Sequence, residues 1–128
     1  MTYFFAKTLD VPFDAAIGKV TEALATKGFG VLTTIDVKAT MKKKLDADMA
    51  PYIILGACNP QFAWKALAAE DKIGTMLPCN VVVREVSPGT VEVAAVDPVA
   101  SMQAVDNPAL AGIAAAVRDA LREVVEGL

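Results

Sequence analysis

Histidine is missing from all 128 residues. Without an imidazole there can be no Ser-His or Cys-His nucleophile pair, and no histidine-ligated zinc, haem or non-haem iron. Proton transfer near neutral pH would fall to a carboxylate, lysine or thiol with a strongly displaced pKa. The expectation is a protein that is not an enzyme. Long apolar runs are lacking as well, although 55% of the residues are hydrophobic and the mean hydropathy is +0.45. The longest run, Ala109 to Val117, is nine residues and ends at Arg118, against the ~20 needed to span a bilayer. Lys7 and Asp10 interrupt the N-terminal segment before a signal sequence could form. A cytoplasmic protein without a membrane partner is expected.

Positive charge is in short supply. Twelve Lys and Arg face fifteen Asp and Glu, giving a net charge of −3. Nucleic-acid backbones are bound by cationic side chains that displace counterions, so an acidic chain is a poor partner for them and none is expected. The one basic cluster, Lys42-Lys43-Lys44, is followed by Asp46 and Asp48 and reads as a solvated helix face. A phosphate-cradling loop is missing too. Gly28-Phe29-Gly30 follows a helical pattern and precedes a strand-like one, the reverse of the dinucleotide-binding order.

What is present reads as a single domain over residues 1–128. Thr2 to Leu9 is a first strand. Phe13, Ile17, Val20 and Leu24 recur at helical spacing over Pro12 to Lys27, with Gly28 placed as a left-handed stop. Gly30 to Val37 is a second strand, Lys38 to Ala47 a short helix, and Tyr52 to Ala57 a buried strand. Asn59 and Pro60 resemble the cap and first turn of a helix from Gln61 to about Glu70. Asn80 to Val86 and Thr90 to Val96 form a hairpin through Pro88-Gly89, which suits a type II turn. A last helix begins at Asn107-Pro108, with Leu110, Ile113, Val117, Leu121, Val124 and Leu128 on one stripe. The hairpin and the short middle helices point to an α+β fold, with a curved antiparallel sheet and helices packed on one face.

Two segments stand out: Tyr52-Ile53-Ile54-Leu55-Gly56-Ala57-Cys58-Asn59-Pro60 and Leu77-Pro78-Cys79-Asn80-Val81-Val82-Val83. Each cysteine is followed by Asn and bordered by Pro. With Lys27 to Leu32, Ile35-Asp36-Val37, Lys42 to Leu45 and Val96-Asp97-Pro98, they make the chain resemble the domain of unknown function 302 family over nearly its whole length. The resemblance implies an antiparallel α+β fold similar to that of the TATA-binding protein, a homodimer, and no particular activity. Two residues depart from the expected pattern: Pro12, where a polar helix cap belongs, and the bulky Trp64.

If the strands ending at Ala57 and opening at Asn80 are antiparallel neighbours, Cys58 and Cys79 lie side by side. Three readings of them stay open. Free cysteine is often a small buried hydrophobe. Two neighbouring thiols could instead serve redox exchange, sulfur transfer or copper(I), with Met76 or Met49 assisting a soft metal. A disulfide is the third reading, disfavoured by a reducing cytoplasm. Cys58, just ahead of a helix N-terminus, is expected to be the more acidic thiol. Tyr52, Asp36 and Asp97 are candidate ligand-binding residues, the aspartates with an equally natural use as turn and cap formers. Trp64 and Phe62, if exposed together on one helix, would mark an interface. Two functions fit: a non-enzymatic homodimer binding a small ligand or protein on the concave sheet face, or a thiol protein using Cys58 and Cys79.

Overall fold

A computed structural model describes residues 2–128 and shows an α+β domain. Five strands, β1 (Phe4–Leu9), β2 (Gly30–Asp36), β3 (Tyr52–Cys58), β4 (Cys79–Ser87) and β5 (Thr90–Val96), form one open sheet. Its order is β1-β5-β4-β3-β2, and every neighbouring pair is antiparallel. Five helices accompany it: α1 (Phe13–Thr26), α2 (Val37–Leu45), α3 (Pro60–Ala69), α4 (Pro98–Ser101) and α5 (Ala111–Glu126).

Strand alternation divides the sheet into two unlike faces. Leu9, Ile53, Leu55, Ala57, Val81, Val83, Val91, Val93 and Ala95 point to one side. There they join Ala16, Val20 and Leu24 of α1 and Val117, Leu121, Val124 and Val125 of α5 in one buried cluster. Val117 and Leu121 are thus core residues, as the last helical stripe requires. Each fully buried aliphatic side chain contributes up to about 1.5–3 kcal/mol, so this single layer of core carries the fold. Lys7 closes it at one edge, donating from Nζ to the main-chain oxygens of Glu126 and Leu128 at the end of α5.

The chain stops and turns where its residues demand it. At the end of α1, Phe29 N–H donates to Leu24 O and Gly28 N–H to Ala25 O, a Schellman closure. Gly28 takes the left-handed conformation this needs, with φ of 80°. Gly89 does the same, at φ of 82°, in the β4–β5 turn. Pro12 supplies no side-chain cap to α1; its carbonyl accepts from Ala16 N–H instead.

Four elements differ from expectation. The short second helix runs over Val37–Leu45 and buries nothing, and Asp36 caps it. A four-residue helix at Pro98–Ser101 and a 3-10 turn at Ile73–Met76 have no periodicity long enough to announce them. Asn107 caps a 3-10 turn, Pro108–Leu110, and the long helix starts only at Ala111.

Candidate functional site

The first candidate region is the junction of β3 and α3. The Asn59 side-chain oxygen accepts from the N–H groups of Gln61 and Phe62, and Pro60 opens the helix. The same side chain donates from Nδ2 to Lys27 O at 3.2 Å. Asn59 therefore ties the start of α3 to the end of α1, and a Cβ at position 28 would meet its Nδ2 at 3.1 Å.

Cys58 and Cys79 both border a narrow cavity of about 30 Å³ beside this junction, with Phe29, Phe62, Met102 and Ile113 among its walls. That volume holds roughly one or two waters, so it suits an ion or a single small group and no metabolite. Antiparallel pairing does place the cysteines on adjacent strands, but Cys79 pairs with Ala57, one residue out of register with Cys58. Cys79 lies on the helix-covered side with Ala57, and Cys58, the last residue of β3, borders the same cavity at the turn into α3. Both thiols are free. Cys79 is buried, and burial pushes its thiol up to about 11, with a smaller contribution from charge on Cys58. Cys58 is half-buried. Among the described residues no three Cys, Asp or Glu side chains converge as a metal cage. Met102 borders this cavity, whereas Met76 lies on a neighbouring one with Pro78 and Cys79.

The aspartates proposed as ligand contacts serve the backbone. Asp36 accepts from Ala39 N–H at 2.9 Å at the head of α2, and Asp97 accepts from Val99 N–H at 2.9 Å at the head of α4. Trp64 and Phe62 do not share a surface. Positions two apart on a helix diverge, and Phe62 lines the cysteine cavity while Trp64 is 78% exposed.

Tyr52 leads to the second region, the sheet face that α1 and α5 leave uncovered. The strand registers set its side chains in rows. The middle row crosses all five strands as Ile35, Ile54, Val82, Ala94 and Ala6, without a polar side chain. Next to it run Tyr52, Arg84, Glu92 and Thr8, and on the other flank Thr33, Gly56, Asn80, Val96 and Phe4. Arg84 Nε donates to Glu92 Oε1 at 2.8 Å. A half-exposed pair of this kind contributes about 1 kcal/mol or less to stability, so it fixes side-chain position more than it holds the fold. Tyr3, Phe4, Tyr52, Val82, Arg84 and Glu92 surround a shallow concavity of about 360 Å³. Arg84 and Glu92 escaped the sequence reading, although both lie in the hairpin strands it identified.

Structurally, the molecule is a two-layer α+β domain with helices on one side and an open, mainly apolar sheet face on the other. The family model for Domain of unknown function DUF302 matches residues 5–128, so the chain belongs to the DUF302 family. The crystal structure of an uncharacterized conserved DUF302 protein from Bacillus stearothermophilus is similar to it, with a TM-score of 0.89 and 28% identity over 98% of each chain. No curated protein matches. No helix among the described residues is long and apolar enough to cross a membrane.

Proposed function

We propose that the chain is a non-enzymatic, homodimeric binding protein whose working surface is the uncovered sheet face. The observation that carries this reading is the apolar row from Ile35 to Ala6, half-buried at Ile54, Val82 and Ala94 and open at Ile35, 49% exposed, with Phe4 of the flanking row 39% exposed. Large contiguous apolar patches on soluble domains mark binding surfaces. The concavity of about 360 Å³ is of a size that takes a small apolar molecule or a protein side-chain cluster. The cysteine cavity supports a thiol or copper(I) role less well, because it is narrow and burial keeps the Cys79 thiol protonated.

Replacing Val82 with Lys tests the reading. Val82 faces away from the core, so the fold should survive, as read by an unchanged circular dichroism spectrum. Binding through this face predicts that the variant loses self-association, uptake of the apolar dye anilinonaphthalene sulfonate, or both. A variant that matches the parent chain in sedimentation and in dye titration would rule the face out as the working surface.

A further inference from the structure

The concavity on the uncovered face has a polar end and an apolar floor. We infer that its ligand is a small apolar molecule with one uncharged carboxamide head, C=O and N–H side by side, seated on the Arg84–Glu92 pair. The inference rests on this face being the working surface and adds the chemical class of what it takes.

Strand register fixes the layout. Arg84 and Glu92 pair across β4 and β5, with Tyr52 beside Arg84 on β3. Two residues along the same strands, Val82 and Ala94 pair to make the apolar floor. Asn80 stands two residues further along β4, roughly 13 Å from Arg84 at the rise of an extended strand. An apolar body lying along β4 and β5 therefore covers Val82 and Ala94 and reaches Phe4 at the far end, with its head at Arg84 and Glu92. Apolar walls with a few convergent polar groups are the usual make-up of a small-molecule site.

The head group follows from the bonding capacity that the ion pair leaves unused. Arg84 Nε donates to Glu92 Oε1 at 2.8 Å. Among the described residues no other protein group bonds either side chain, so the guanidinium keeps N–H donors at its Nη atoms and the carboxylate keeps Oε2 as an acceptor. These two are the charged groups around the concavity, and their charges cancel. A carboxylate ligand would be drawn by Arg84 and repelled by Glu92, and an ammonium ligand would meet the reverse. The net charge of −3 adds a general bias against anions. A carboxamide escapes both penalties. Its oxygen accepts from the guanidinium, its N–H donates to Glu92, and both bonds are charge-assisted. An ion pair that merely keeps the face soluble would not discriminate between head groups, and that difference is measurable.

The test uses three probes that share one apolar body: naphthaleneacetamide, naphthaleneacetate and naphthylethylamine. Each is measured by equilibrium dialysis against the full-length chain at neutral pH. The parent chain should bind the amide about tenfold or more tighter than either charged probe. Glu92→Gln should raise the affinity for the acetate to that of the amide or beyond, and Arg84→Met should do the same for the amine. V82K should weaken all three. Both exchanged side chains are half-exposed, so the fold should persist, as read by circular dichroism. If either variant fails to fold, the ranking of the three probes by the parent chain still decides the matter. Equal affinity for the three probes, lost together in V82K, would overturn the inference and leave the face as a binding surface. A parent chain that prefers the acetate or the amine would overturn it as well. Binding of none of the probes would overturn it too, and the reading of the face would fall with it only if V82K also left dye uptake and sedimentation unchanged.

Discussion

Cys58 and Cys79 show how differently two identical side chains on one cavity can be exposed. Cys79 shares a buried face with Ala57, and its thiol is held protonated up to about 11. Cys58 closes β3 ahead of the Asn59 cap, partly open to solvent. Alkylation by iodoacetamide should therefore modify Cys58 in the folded protein and leave Cys79 unmodified until unfolding, as read by peptide mass spectrometry. Modification of Cys79 first would contradict the burial assignment. The same burial has a pH signature. A thiol whose pKa is raised on folding stabilises the native state below its ordinary value of 9.0 and loses that contribution as pH rises towards 11. Between those limits the parent chain should lose about 2–3 kcal/mol more stability than Cys79→Ala, measured by denaturant unfolding at each pH.

Asn59 joins elements that are far apart in sequence. Its oxygen caps α3 and its amide bonds to Lys27 O at the Gly28 turn, thirty-two residues earlier. Asn59→Ala should cost about 1–2 kcal/mol, the loss of a cap and a neutral hydrogen bond. Asn59→Asp keeps the acceptor, loses the donor, and should recover part of that in urea unfolding. Equal losses for both would mean that the bond to Lys27 matters more than the cap. The cap, the Gly28 stop and the Pro88-Gly89 turn were all legible in the sequence, because each is written in a few adjacent residues. The bulges were not. Counting back from the Ser87–Thr90 pair would set Glu85 against Glu92, but the strand slips at Val86 and brings Arg84 there instead. A similar slip at Leu32 shifts β2 against β3. Local composition does not announce a single inserted residue, and the face depends on both insertions for its rows. The sequence could place Cys58 and Cys79 on neighbouring strands but not show the one-residue offset between them.

At the scale of the whole molecule, the asymmetry between the two sheet faces makes stability depend on what covers the open one. The core is a single layer between the sheet and α1 and α5, so Leu55→Ala, at a buried position on β3, should cost about 2–5 kcal/mol whatever the protein concentration. The uncovered row contributes only when something lies on it. A partner that binds the native chain and not the unfolded one raises the melting temperature by mass action. If a second copy is that partner, a hundredfold rise in protein concentration adds about 1.4 kcal/mol per chain, which corresponds to roughly 3–6 °C for a domain of this size. Calorimetry across such a range should show that rise for the parent chain. V82K should melt at one temperature throughout. A parent chain equally insensitive to concentration would mean that no second copy lies on the face in solution, and the apolar row would then remain open to a ligand of another kind.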